Sequence, residues 1–191
     1  MGTAKWDRRH TTGLPGQPLP VIEWIAREQR PGSALDLACG LGRHALLLAS
    51  HGWTVDALDS SAVAIARLRE FAAQRDLNVR AAVQDLESPD FAIPAEKYDL
   101  ICDCFYLQRS LITRIQIGTR VGGLAAFALP MHDDTPGLEQ MNPEFLVQPG
   151  ELRSWFEGWN ILEHKEQREA QRGRLVATLI ARRPHNASRH L

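Results

Sequence analysis

The chain has 191 residues, enough for one well-buried domain and too few for two comfortable ones. Hydrophobic residues make up 44% and charged residues 24%, and 22 Lys plus Arg against 23 Asp plus Glu leave a formal net charge of -1. That balance supplies no electrostatic footprint for nucleic acid or an anionic membrane, and the odd set Cys39, Cys102 and Cys104 argues for a reducing cytoplasm over a disulfide framework.

Residues 1–17 are polar, carry Gly13, Pro15 and Gly16, and read as an arm or lid. No long apolar run follows Met1, so neither a signal peptide nor a membrane span is expected. In residues 18–29 the side chains of Leu19, Ile22, Trp24, Ile25 and Ala26 suit one face of a short helix, which Pro31-Gly32 stops. Residues 33–38 predict a first strand that breaks into Cys39-Gly40-Leu41-Gly42, and residues 43–50 resume as a helix. Residues 53–58 predict a second strand ending at Asp59, with Ser60 as N-cap of a helix running to Gln74. A third strand at 79–83 leads into Gln84-Asp85-Leu86, and a fourth covers 98–104. A helix at 108–120, a turn at Gly122-Gly123 and a fifth strand at 124–129 follow.

The last third changes character, with an irregular loop at 130–148 and a short helix at 149–156. Strands at 159–166 and 174–182 are joined by a turn short enough to force antiparallel pairing. The alternation predicts an α/β, Rossmann-like doubly wound sheet, mostly parallel with an antiparallel C-terminal strand. The domain is expected at 18–183, with a polar tail at 184–191.

Chemistry concentrates at the strand ends. Asp36, Gly40 and Gly42 lie where the first strand turns into its helix, where glycines let a ligand approach the backbone and helix N–H groups face outward. Asp59 can accept two hydrogen bonds from ribose hydroxyls, and Asp85-Leu86 can bracket an adenine edge and face. These positions trace a nucleoside across the carboxyl edge of the sheet. Gly40-Leu41-Gly42-Arg43-His44-Ala45 also satisfies the loose dinucleotide fingerprint. A carboxylate four residues before the first glycine nevertheless suits a cationic amine, as in S-adenosylmethionine, and offers a pyrophosphate nothing.

The stretch Ala34-Leu35-Asp36-Leu37-Ala38-Cys39-Gly40-Leu41-Gly42-Arg43 resembles the glycine-rich motif of class I methyltransferases, and Asp59, Asp85-Leu86 and Tyr98-Asp99-Leu100-Ile101 resemble their later motifs in order. Trp6-Asp7-Arg8-Arg9, Gly122-Gly123, Asn142-Pro143-Glu144-Phe145-Leu146 and Pro149-Gly150-Glu151-Leu152 resemble the tellurite-resistance, TehB-like small-molecule methyltransferases. The resemblance implies the seven-stranded methyltransferase fold and S-adenosylmethionine as cofactor, with S-adenosylhomocysteine as product. It implies that Asp36 and the backbone of Ala38, Cys39, Gly40 and Gly42 hold the methionyl group, and that Asp59 holds the ribose with Ser60 beside it. Asp85 and Leu86 would meet the adenine, Cys104 would flank the ligand, and Trp6 or Arg9 would close over it. Two departures stand out: Ala38 replaces a usual glycine, and Cys104-Phe105-Tyr106-Leu107-Gln108-Arg109 differs from the apolar run of the relatives on the substrate side.

Methyl transfer at a sulfonium asks mainly for alignment and exclusion of water. For a neutral acceptor His132 is the candidate base, with Tyr106 and Arg109 as substrate contacts, Arg109 as a fork for an anion. The expected acceptor is a small thiol, metalloid oxyanion or metabolite, and the expected state a monomer or homodimer without nucleic acid, membrane or metal. Competing readings are an NAD(P)-dependent oxidoreductase and a non-catalytic binding module. Bland roles stand beside the sharp ones: Asp36 and Asp59 as caps, Cys102 and Tyr106 as core, His44 and His51 as surface residues, and His132-Asp133-Asp134 as a solvated loop rather than a metal site. Asp103 points at solvent or at substrate, and Trp155 and Trp159 pack the last helix on the sheet.

Overall fold

A computed structural model describes residues 7, 11, 13–133, 142–169 and 173–185. Among them the strands form one seven-stranded sheet in the order β3-β2-β1-β4-β5-β7-β6. The chain divides into two compact units, residues 1–92 and 93–191.

The first unit holds α1 (Pro20–Glu28), β1 (Ser33–Leu37), α2 (Arg43–Ser50), β2 (Thr54–Asp59), α3 (Ala62–Ala73) and β3 (Val79–Val83). Proline at the first position of α1 costs no hydrogen bond there. The buried face of α1 is Val21, Ile22, Ile25 and Ala26; Trp24, expected inside, is 41% exposed because it lies off that stripe. β1 and β2 run parallel with Asp36 opposite Ala57, and β2 and β3 run parallel with Asp59 opposite Val83. The cap of α3 is Ser61, one residue later than expected: its hydroxyl accepts the Ala64 amide at 3.1 Å, and Ala64 is the third residue of the helix. Gly42 adopts a left-handed φ of 79° at the N-cap of α2, and a Cβ there would collide with the Leu68 side chain on α3.

The second unit holds β4 (Tyr98–Cys104), α4 (Leu111–Gly118), β5 (Thr119–Pro130), a 3-10 turn at Pro143–Phe145, α5 (Glu151–Ser154), β6 (Asn160–Arg168) and β7 (Leu175–Arg182). β4 and β5 are parallel, whereas β7 runs antiparallel to both β5 and β6. α4 ends at Gly118 rather than Arg120, because Thr119 turns extended and its hydroxyl bonds the Ile115 carbonyl at 2.8 Å. The Gly122-Gly123 pair lies within β5 as an irregularity, not before it as a turn. Gly122 sits at φ 78° and donates to the Arg183 carbonyl, and Arg183 donates back to Gly123. Against the buried centre of β5, Phe127 packs on Phe156 with ring centroids 5.3 Å apart, and Trp159 meets Phe156 edge-on at 5.1 Å. Phe156 thus joins Trp159 in this packing, and Trp155 is half-buried.

Candidate active site

In the first unit the crossing from β1 to α2 places three residues in the left-handed region, Ala38 at φ 50°, Gly40 at 53° and Gly42 at 79°. For a residue with a Cβ this region is sparsely populated and costs about 1–2 kcal/mol. Alanine at position 38 therefore holds a conformation that glycine adopts without strain. The turn is fastened by Cys39 N–H to the Leu58 carbonyl at 3.0 Å and Gly42 N–H to the Cys39 carbonyl at 2.9 Å.

Two carboxylates stand behind this turn. Asp36, 1% exposed, accepts the Ala45 amide of α2 at 3.2 Å. Asp59, 8% exposed, accepts the Gly40 amide on Oδ2 and the Ser61 amide on Oδ1, each at 2.8 Å. Both carboxylates thus take the capping role, Asp36 on an amide of α2 and Asp59 on the amides of Gly40 and Ser61. An ionised carboxylate offers about four lone-pair sites, so these backbone bonds orient Asp59 without exhausting it. The Cys39 thiol is pushed well above its ordinary value by burial first and then by the charges of Asp36 and Asp59, and it stays protonated. Ser60 is half-buried beside Asp59. Asp85 is exposed and accepts the Glu87 amide at 2.9 Å, Leu86 is buried, and Gln84 N–H ties this end of β3 to the Asp59 carbonyl at 2.9 Å.

His44, expected at the surface, is 4% exposed: it is the second residue of α2 and turns toward α1, where the Leu19 amide donates to its Nε2 at 3.4 Å. Burial, with Arg43 adding to it, lowers its pKa from 6.5 to about 3, so the ring is neutral and serves as an acceptor.

In the second unit Cys104 ends β4 at 9% exposure and Cys102 and Asp103 are buried, which answers the question of whether Asp103 faces water. Phe105 follows at φ 63°, with its amide bonded to the Ala128 carbonyl at 2.8 Å. A bulky residue there is a genuine outlier. Tyr106 is half-buried and its hydroxyl donates to Gln108 Oε1 at 2.8 Å.

Arg109, expected as a fork for an anionic acceptor, grips its own chain instead. Its Nε and one terminal nitrogen bind the two Glu151 oxygens at 2.7 and 3.1 Å, and the guanidinium also donates to the Glu144 and Leu146 carbonyls at 2.7 and 3.2 Å. The hydrogen bond from Arg109 lowers the Glu151 pKa, and the same bond raises that of Arg109. His132 is exposed, with its amide on the Val147 carbonyl at 3.0 Å. Asp133 is absorbed by structure, accepting from Arg168 at 3.1 Å and from the Leu175 amide at 3.0 Å. Asp134, Trp6 and Arg9 lie outside the described residues. Among the described residues no group of three or more His, Cys, Asp or Glu is placed to hold a metal.

Sequence reasoning missed Ser61, Asp7 and Arg67. The adjacent pair Ser60-Ser61 offers two caps with no Glu or Gln three residues on to choose between them, and the contacts of Asp7 and Arg67 bridge 54 to 56 residues.

The family model for the tellurite resistance protein TehB matches residues 20–175. The chain is 29% identical over 165 residues to a probable S-adenosyl-L-methionine-dependent methyltransferase TehB of Haemophilus influenzae, covering 82% of this chain and 54% of that protein. It is 33% identical over 144 residues to hemagglutinin 1 of Eikenella corrodens, covering 71% of this chain and 46% of that one. The crystal structure of TehB from Haemophilus influenzae superposes with a TM-score of 0.72 at 28% identity, covering 85% of this chain and 61% of that chain. The chain thus spans about half the length of these sequence relatives. With the glycine-rich turn, the strand-end carboxylates and the antiparallel end of the sheet all in place, the chain belongs to the TehB family.

Proposed function

We propose that this chain binds S-adenosylmethionine in its first unit and transfers the methyl group to a small-molecule acceptor. The observation that carries the reading is Asp59: both carboxylate oxygens are pre-oriented by the Gly40 and Ser61 amides, with lone pairs left for the two hydroxyls of a ribose. Asp36 and the backbone of Ala38, Cys39, Gly40 and Gly42 would hold the methionyl part, and Asp85 and Leu86 the adenine. A buried carboxylate at position 36 favours a cationic ligand here and disfavours a pyrophosphate.

When bound, S-adenosylmethionine supplies a methyl group on a sulfonium that already carries its leaving group. The protein's part is then to orient the reactants and exclude water. Tyr106 and His132 are the proposed acceptor contacts, His132 as base for an acceptor that arrives protonated. Arg109, engaged by Glu151, holds the 144–151 segment. We assign the whole of residues 18–183 to this methyltransferase domain. Three buried, free cysteines support residence in a reducing cytoplasm, and no helix among the described residues is long and apolar enough to cross a membrane.

Calorimetric titration with S-adenosylmethionine, S-adenosylhomocysteine and NADH tests the reading. The two adenosyl ligands should bind. Asp59→Ala should weaken them about 30- to 100-fold, since it removes the ribose acceptor and leaves two amides without their partner. Binding of NADH alone would overturn the methyl-donor assignment.

A further inference from the structure

The described part of the chain ahead of α1 is fastened at successive points along the first unit. Asp7 Oδ1 accepts the Ser61 hydroxyl at 2.6 Å. Arg67 of α3 donates to the Thr11 carbonyl at 2.9 Å and the Gly13 carbonyl at 2.6 Å. Arg43 of α2 donates to the Gln17 carbonyl at 3.2 Å, and His44 takes the Leu19 amide. The Asp7 contact differs from the others in what it touches, for Ser61 is the residue whose amide orients Asp59.

Ser61 is 0% exposed, and its hydroxyl has one proton to give. Donating that proton to Asp7 sets the rotor so that a lone pair meets the Ala64 amide at 3.1 Å and caps α3. The cap fixes where α3 begins, and therefore where the Ser61 amide points, which is at Asp59 Oδ1. The other oxygen of the same carboxylate holds the Gly40 amide. A continuous relay runs from Asp7 through Ser61 and Asp59 to the glycine turn. Without Asp7 the buried hydroxyl must find another acceptor or remain unsatisfied, and the cap competes with that search.

We infer that Asp7 is a positioning residue of the ligand site, holding Ser61, and through it Asp59, in the orientation that receives the ribose. This rests on the adenosyl-binding reading above. Only the acceptor oxygen matters to the relay, so an amide carbonyl at position 7 should serve and a methyl group should not.

The test is calorimetric titration with S-adenosylhomocysteine, joined to amide hydrogen exchange at Ser61 and Ala64 without ligand. Asp7→Ala should weaken S-adenosylhomocysteine about three- to tenfold, the worth of one hydrogen bond, and speed exchange at both amides. Asp7→Asn should restore both properties to within about twofold. In an Asp59→Asn background, Asp7→Ala should add less than about a twofold loss, because its effect passes through Asp59. Full additivity in that background, or equal behaviour of the Ala and Asn variants, overturns the positioning role while leaving the methyl-donor reading intact. If the wild-type protein takes up no S-adenosylhomocysteine, the methyl-donor reading falls and the ribose role falls with it. Exchange at Ser61 that is unchanged in Asp7→Ala overturns the relay whether or not ligand binds.

Discussion

The two units build their polar sites by different means. In residues 1–92 the key carboxylates are held by backbone amides: Asp36 by Ala45, and Asp59 by Gly40 and Ser61. These groups lie at strand ends and helix starts, where the path of the chain itself delivers the donors. In residues 93–191 the charged loop residue proposed for the site is instead taken up by a side chain far away in sequence, as Arg109 meets Glu151 across 42 positions. A site made by the backbone is announced by its glycines and acids. A charged side chain in a loop announces only that it will find a partner, and here the partner belongs to the same chain.

Four substitutions sharpen this contrast. The largest effect should come from Gly42→Ala, which puts a Cβ into Leu68 and a side chain at a left-handed φ. A loss of about 2–4 kcal/mol in denaturant-induced unfolding is expected; a loss under about 0.5 kcal/mol would mean that the glycine turn is not rigidly set. Next comes pH. The pKa of His44 is about 3 when folded against 6.5 for an ordinary histidine, so the unfolded chain takes up a proton that the folded one refuses. Stability should be fully present above pH 6.5 and decline by about 1 kcal/mol per pH unit as pH falls toward 3. In His44→Gln, which keeps an acceptor for the Leu19 amide, that part of the slope should vanish.

The smallest global effect belongs to the second unit. Glu151→Gln removes one charge from a partly exposed pair, and the cost in overall stability should stay under about 1 kcal/mol. Its local effect should be larger, with faster amide exchange at Leu146 and Gln148, the neighbours of the clasp. If exchange there is unchanged and Arg109→Lys alone abolishes methyl transfer to a small acceptor, then Arg109 is a substrate fork after all and the contrast fails.

Much of this was legible in the chain before any coordinates. The first five strands are legible to within a residue or two at their C-terminal ends, because Asp59, Asp85 and the Cys39-Gly40 break punctuate apolar runs. The antiparallel end followed from the short joint between the last two strands. The sequence points to Ser60 and the structure uses Ser61, because capping depends on which hydroxyl reaches the third helical amide, a matter of one residue's rotation. Gly122-Gly123 read as a turn because a strand irregularity and a turn use the same residue. His44 read as a surface residue because α2 is short and the element it packs against, α1, precedes it by more than a strand.

The sequence by itself determined the order of elements, the glycine turn and the two carboxylates behind it, since all of these are set by local backbone preferences and the spacing of apolar residues. Only the tertiary structure decided that Asp7 reaches Ser61, that His44 is a neutral acceptor under α1, and that Arg109 is committed to Glu151. Each of those depends on which groups meet across tens of residues, and residue type fixes what a side chain can bond without fixing what comes within reach.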